Sequence, residues 1–389
     1  MKYNIKLMNK IATEGTDLFE RDRYSIGEEI EDPQGIMVRS ASLHDMELGE
    51  GLLAIARAGA GVNNIPIDVC SGKGVVVFNT PGANANAVKE LTVAGLFLAS
   101  RNVTGGVEWA KTLAGNPDCA KLVEKGKSTF EGPELAGKTL GVIGLGAIGV
   151  MVANVAHDLG MEVYGYDPYI SVGSAWGLSR KIRKADTMKE ICEVSDYVTV
   201  HVPLNPSTKG SINAETIAQM KHGVRILNFA RGEIVDTADM EAALKSGKVA
   251  KYVTDFPSPE VLAMPNTIAI PHLGASTPES EINCACMAAK ELKDYIEYGV
   301  IRNSVNLPNV EQLPDCNVRL CIIHENIPNM ISAITSIFGE AKINIEHLTN
   351  QSKKDMAYTV IDTNSQVNTD LIGRIAAAEG VIRVRKIER

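Results

Sequence analysis

The chain has 389 residues, too many for one comfortable core, so two or three domains are expected. Apolar residues make up 45% and charged residues 22%, which is ordinary for a globular protein in water. The net charge of −8 argues against a broad nucleic-acid or anionic-membrane surface. No run approaches the roughly 18 apolar residues of a membrane span. The opening MKYNIKLMNKIATEG lacks the apolar stretch of a signal peptide, so a cytoplasmic setting is expected. The seven cysteines (Cys70, Cys119, Cys192, Cys284, Cys286, Cys316, Cys321) are scattered through apolar surroundings without zinc spacing. They read as reduced thiols, and no metal site is expected.

Over residues 34–79, short apolar runs (GIMVRS, LLAIARAG, VVVFN) alternate with helix-like stretches. That rhythm predicts a small α/β unit with a parallel sheet. Residues 83–100 read as a long helix leaving it, and residues 115–137, rich in Gly, Lys and Pro, as a surface connection. At Lys138 a second series starts. KTLGVIG, MEVYGYD, YVTVHVP, GVRILNFA, KYVTDF and TIAIPH are expected as buried strands of a doubly wound parallel sheet. Helices lie between them, one opening behind Asp236–Thr237. Residues 279–298 form another long helix before Gly299, and the two prolines of NSVNLPNVEQLPD mark a linker. The remaining residues run strand, helix, strand, strand, helix, strand, the ferredoxin-like order βαββαβ.

The strongest local motif is Gly144-Leu145-Gly146-Ala147-Ile148-Gly149, which follows the strand TLGVI and opens a helix. Gly144 makes a tight turn, Gly146 lets backbone approach a pyrophosphate, and Gly149 lets helix pack on strand. The helix N-terminus then faces negative charge. Asp167 ends VYGYD, eighteen residues after Gly149. A carboxylate there accepts hydrogen bonds from ribose hydroxyls and repels a 2′-phosphate, which favours NAD over NADP.

Three polar islands follow predicted strands: Arg231 in LNFARGEIVD, Asp255 and Glu260 in TDFPSPE, and His272 in IAIPHLGAST. Ligands bind at the carboxyl ends of strands in open α/β sheets, so all three can converge. Removing hydride from a secondary alcohol needs a base for the hydroxyl proton, and His suits that task near neutral pH. An Arg fork matches the carboxylate and carbonyl of a 2-oxo acid. Singly, His272 reads as a structural histidine and Glu260 as a solvated loop residue. It is the set, on a dinucleotide fold, that points to a dehydrogenase.

RGEIVD, the Asp-to-Glu spacing of TDFPSPE, and PHLGAST resemble the D-2-hydroxy-acid dehydrogenase family, over essentially the whole chain. The resemblance implies NAD as cofactor, Arg231 as substrate anchor, His272 as acid/base and Glu260 as its partner. It implies cofactor contacts at Ala147, Ile148, Asp167, Val202, Phe229, Ala230, Asp255, Gly274 and Ala275. The loop between Glu260 and His272 is shorter than usual, and Ala147 replaces a longer, often basic residue. The implied layout is a substrate-binding domain over 1–94 with 284–306 returning to it, a Rossmann NAD domain over 95–283, a linker over 307–316, and an ACT regulatory domain over 317–389.

VRSAS and ARAGAGVNN resemble the phosphoglycerate-oxidising branch of that family. Its pattern implies a substrate carboxylate held by the backbone around Ala60 and Gly61, where glycines let the chain approach closely. Arg39 and Arg57, at the ends of neighbouring strands, are expected to hold a phosphate in charge-assisted pairs. The implied reaction converts 3-phospho-D-glycerate and NAD to 3-phosphohydroxypyruvate, the first step of L-serine biosynthesis. The loop His324-Glu325-Asn326-Ile327-Pro328-Asn329 resembles a serine-binding loop, with Asn344 as a further contact and Asn329 in place of a glycine. L-serine is the implied effector and a homodimer or homotetramer the implied assembly, without nucleic-acid or membrane partners. Two alternatives stand beside this reading. One is a glyoxylate, hydroxypyruvate or D-lactate reductase, which needs no arginine pair for phosphate; the other is an NADH-sensing corepressor-like binding protein.

Overall fold

In the computed structural model, which describes residues 2–388, the first sheet begins earlier than the apolar runs at 34–79 suggest. β1 (Tyr3–Met8) and β2 (Tyr24–Gly27) precede β3 (Gly35–Val38), β4 (Ala54–Arg57) and β5 (Val76–Phe78). All pair in parallel, in the order β2-β1-β3-β4-β5. β1 and β2 escape a hydrophobicity reading because most of their side chains are only half-buried, with polar residues interleaved. β3 and β5 are buried at every position.

The second unit, residues 85–277, is built on β6 (Thr139–Ile143), β7 (Glu162–Tyr166), β8 (Arg183–Lys184), β9 (Tyr197–Val200), β10 (Val224–Asn228), β11 (Val249–Thr254) and β12 (Thr267–Ala269). All are parallel, in the order β12-β11-β10-β9-β6-β7-β8. The chain steps outward from β6 to β8 and returns to place β9 on the other side of β6. This reversal leaves a crevice at the carboxyl ends of β6 and β9, the switch point of a doubly wound sheet. The helix Ala85–Ser100 belongs here in full. A Cβ on Gly95 would lie 2.9 Å from the Phe229 ring, Ser100 Oγ is 2.7 Å from Tyr197 Oη, and Arg225 Nε donates to Ala99 O. The unit therefore opens ten residues before the expected boundary at 95.

It closes at Thr277 rather than 283, because the helix Pro278–Tyr298 packs undivided on the first sheet. Its face through Cys284, Ala288, Leu292 and Tyr295 shares one core with Ile5, Met37, Ala54 and Phe78. Small residues allow close approach: a Cβ on Gly15 would lie 2.6 Å from that of Ala285. At the far end, Glu297 accepts hydrogen bonds from Tyr24 Oη (2.5 Å) and Arg23 Nη1 (3.1 Å), which pins β2 to the helix.

β13 (Val318–Glu325), β14 (His347–Lys353), β15 (Met356–Thr363) and β16 (Val381–Glu388) form an antiparallel sheet in the order β14-β15-β13-β16. With the helices Met330–Glu340 and Thr369–Ala376 this is the ferredoxin-like arrangement. Seven of the eight residues of β13 are buried, because both of its faces are covered. Leu320 and Ile322 meet the sheet's own helices, while Cys321 and Ile323 enter the core around Tyr295. The expected linker over 307–316 is accordingly packed: Leu307 and Val310 are buried in that core, and Ile301 and Val310 exchange backbone hydrogen bonds. Arg319 and Asp362, opposite each other on β13 and β15, form a buried two-bond ion pair with both bonds at 2.7 Å. Arg319 Nη1 also donates to Tyr298 O and Gln312 O, so the guanidinium ties sheet, helix end and linker together. Removing one partner of such a pair costs about 3–5 kcal/mol.

Candidate active site

The glycine motif has the geometry its spacing predicts. Gly144 takes a φ of 91°, and a Cβ there would meet the His201 carbonyl at 2.8 Å. A Cβ on Gly149 would fall 1.9 Å from Gly144 O, so only glycine lets the helix Ala147–Asp158 sit this close to β6. On Gly146 a Cβ would meet nothing within 4 Å. Its open side is where a pyrophosphate can reach the first-turn amides of the helix, at Ala147 and Ile148. Asp167, just past β7, accepts from Leu145 N (2.9 Å) and Tyr169 N (2.8 Å). The carboxylate thus fastens the glycine loop and keeps lone pairs for ribose hydroxyls. Val202 follows β9, and Phe229 and Ala230 follow β10, so these residues fit a dinucleotide.

His201 is a residue that sequence reasoning passed over. Its Nε2 lies 3.0 Å from Thr199 Oγ1, its Nδ1 is buried without a partner, and burial pushes its pKa down to about 4. The imidazole is therefore neutral, and it is the His201 backbone carbonyl that stands against the glycine turn. The available signal was a histidine closing a buried strand beside the motif's own strand.

At the ends of β10, β11 and β12 the structure groups Arg231, Asp255 and His272. Asp255 is 1% exposed, and its Oδ2 accepts from Gly274 N at 3.1 Å. Its Oδ1 is buried without a partner. Burial raises the Asp255 pKa, and the Gly274 hydrogen bond and the charges of His272 and Arg231 oppose that rise. The three side chains therefore share one electrostatic neighbourhood. The exposed His272 ring leans on Phe256, with centroids 5.0 Å apart, and the exposed Arg231 donates to Ala230 O at 2.6 Å.

Glu260 is bonded to Ser258 rather than to His272. Its Oε2 accepts from Ser258 Oγ at 2.7 Å, and that bond, with its own backbone amide, holds its pKa below the usual carboxylate range. Among the described residues no hydrogen bond joins it to His272. Ser258 caps the short helix Pro259–Ala263, and a carboxylate in the first turn is drawn to the cap and the free amides. The carboxylate that His272 faces electrostatically is Asp255.

In the other unit, Arg39 follows β3 and Arg57 ends β4. Arg57 Nε donates to Arg39 O at 3.0 Å. The Arg57 guanidinium lies so near Gly59 that a Cβ there would come within 2.7 Å of Nη1. Arg39 Nη2 is 2.7 Å from Oε1 of Glu281, which sequence reasoning also missed. Burial raises the pKa of the Cys284 thiol, while the charges of Arg57 and Arg39 are among the influences that lower it. Ala60 O accepts from Asn79 Nδ2 at 2.6 Å, which fastens the loop that carries Ala60 and Gly61.

The residues expected to hold an effector do not meet within one chain. His324 is buried, with Nδ1 at 2.7 Å from Glu325 O and Nε2 at 2.8 Å from Thr359 Oγ1. Asn326 donates to Lys354 O beyond the end of β13. Asn344 O accepts from Thr363 Oγ1 at the opposite end of the sheet. Eight residues of β13 separate the two ends, roughly 25 Å. Asn329 adopts a left-handed backbone with φ 68°, the conformation for which a glycine is usual, so the turn forms with Asn in its place.

A parallel sheet with its switch point at a glycine-rich turn, beside an Arg, Asp and His group at strand ends, defines a dinucleotide-dependent oxidoreductase fold. Residues 96–274 match the family model described as D-isomer specific 2-hydroxyacid dehydrogenase, NAD binding domain. A D-3-phosphoglycerate dehydrogenase of Haemophilus influenzae is 32% identical over 384 residues, covering 94% of this chain and 89% of that protein. One of Methanocaldococcus jannaschii is 36% identical over 297 residues, 73% of this chain and 54% of that protein. The chain thus spans about half the length of some of the curated relatives it matches. An NAD+-bound 3-phosphoglycerate dehydrogenase structure from Entamoeba histolytica aligns with a TM-score of 0.62 at 27% identity, over 79% of this chain and 99% of that one. This chain belongs to the D-isomer specific 2-hydroxyacid dehydrogenase family, and its second unit contains that family's NAD-binding domain. Among the described residues no helix is long and apolar enough to cross a membrane.

Proposed function

We propose that the chain is an NAD-dependent dehydrogenase acting on 3-phospho-D-glycerate and 3-phosphohydroxypyruvate, at the entry to L-serine biosynthesis. The observation that carries this reading is the grouping of Arg231, Asp255 and His272 around one buried, half-satisfied carboxylate at the strand ends of a dinucleotide fold. NAD, when bound, supplies the hydride acceptor. Arg231 anchors the substrate carboxylate and carbonyl oxygen through its guanidinium fork. His272 takes the hydroxyl proton on Nδ1 or Nε2, whichever faces the substrate, and returns it in the reverse direction. Asp255, unpaired at Oδ1, would be one of the groups that hold the cofactor, and it balances the charge that His272 gains. Arg39 and Arg57 hold the phosphate.

The first measurement is NADH consumption with 3-phosphohydroxypyruvate, hydroxypyruvate and glyoxylate, each with and without L-serine. A strong preference for the phosphorylated acid supports the reading. Equal turnover of the unphosphorylated acids removes phosphate from the role of Arg39 and Arg57, and absence of turnover favours a binding protein. L-serine, if it binds through Asn326 and Asn344, does so between two copies of the C-terminal sheet. A serine effect that persists in a monomeric preparation rules that out. A cytoplasmic homodimer or homotetramer is the matching assembly.

A further inference from the structure

We propose that Asp315, Cys316 and His347 form a binding site for a zinc-like divalent cation at the junction between the linker and the C-terminal sheet. Cys316 Sγ lies 3.4 Å from Asp315 Oδ1, His347 Nε2 lies 3.1 Å from Asp315 Oδ2, and the three ligand atoms all fall within 4.8 Å of one another. Donors around a tetrahedral zinc with bonds of 2.0–2.3 Å stand roughly 3.3–3.7 Å apart, so small rotations of exposed side chains suffice. Thiolate with imidazole and one carboxylate is a set that suits zinc and excludes magnesium and calcium, which take oxygen.

The surroundings agree with this assignment. The thiol is buried, whereas Asp315 and His347 are about half-exposed, so the site opens to solvent on one side and leaves room for water as a fourth ligand. Linear spacing hid the cluster, because Cys316 and His347 are far apart along the chain. Asp315 and Cys316 lead into β13, His347 opens the edge strand β14, and β15 lies between those strands. A cation here clips the entry of the domain to its outer strand. Binding replaces the S–H bond with an S–metal bond and releases one proton to buffer.

The test uses the full chain, stripped with chelator and titrated with Co²⁺ and then Zn²⁺. The expected result is a thiolate-to-cobalt absorption band saturating at one equivalent per chain, displaced by Zn²⁺, with about one proton released. Cys316→Ser abolishes the band. His347→Ala and Asp315→Asn, both at exposed positions, keep the metal-free fold by circular dichroism but weaken binding by about tenfold or more. No band in the unsubstituted chain overturns the proposal. So does a band that survives in Cys316→Ser and disappears in Cys119→Ser, or an affinity unchanged by His347→Ala and Asp315→Asn.

Discussion

Arg39 and Glu281 form an ion pair, with Nη2 and Oε1 2.7 Å apart and side chains 42% and 44% exposed. At that exposure the pair is worth under about 1 kcal/mol to folding. Its consequence for a ligand is different, because a phosphate arriving at Arg39 meets a guanidinium already matched by a carboxylate. Glu281→Gln is expected to lower KM for 3-phosphohydroxypyruvate by about fivefold, the equivalent of about 1 kcal/mol, with kcat nearly unchanged. KM for hydroxypyruvate should not move. An equal change for both acids would separate Glu281 from phosphate recognition.

His272→Ala should lower kcat by roughly 10²–10⁴ without unfolding the chain, since the exposed ring rests only on Phe256 among aromatic neighbours. Single-turnover hydride transfer is the readout, and a smaller loss in a folded variant takes His272 out of the proton transfer. Ser258→Ala should cost about 1 kcal/mol through the lost cap and release Glu260. If kcat falls with it, the Ser258–Glu260 bond belongs to the working conformation. If kcat holds, the bond is structural only, and if kcat rises, it restrains a Glu260 that serves the reaction once freed.

Two glycines of one motif should fail differently. Gly149→Ala drives a methyl into Gly144 O and should destabilise the second unit severely. Gly146→Ala meets open space and should leave Tm nearly unchanged while raising the Kd for NAD, measured by fluorescence titration. A Gly146→Ala variant that binds NAD normally would place the pyrophosphate elsewhere.

Glu291 gives a pH prediction with a definite sign. Its carboxyl is buried with Oε2 unpartnered, and burial raises its pKa from 4.5 to about 8, the Asn303 hydrogen bond opposing. Between those two values the native chain holds a proton that the unfolded chain has lost, so stability falls as pH rises through that window. Glu291→Gln should therefore gain Tm over the unsubstituted chain at pH 8 relative to pH 5. Parallel stability curves for the two proteins would mean that Glu291 ionises normally in the native state.

Six of the seven strands of the second sheet were legible because they are largely apolar runs, as strands of parallel sheets covered on both faces are, whereas β8, two exposed charged residues at the sheet edge, carries no such pattern. β1 and β2 were not legible, since half-buried strands with interleaved Asn, Lys and Ser carry a weak pattern. The glycine motif and Asp167 could be placed from spacing because backbone geometry dictates those positions. Glu260 could not, since a local hydroxyl cap competes for its carboxylate, and a sequence does not rank two partners. Glu281 and His201 were missed for a related reason. Their meaning depends on what stands opposite them in space, at Arg39 and at Gly144.

The last strand does more than complete its own sheet. Arg383 donates to the carbonyls of Glu50 and Leu52, just before β4, and Arg385 covers the Tyr295 ring at 4.5 Å while donating to the carbonyls of Tyr295 and Ile296. A chain cut after residue 316 would bare that ring, leave those four carbonyls without their donors, and slacken the segment that leads to Arg57. The C-terminal region is therefore a poor candidate for exchange by gene fusion. A foreign module grafted at the same junction would have to bring its own two arginines in register, or its host would lose the tie on the segment that leads to Arg57.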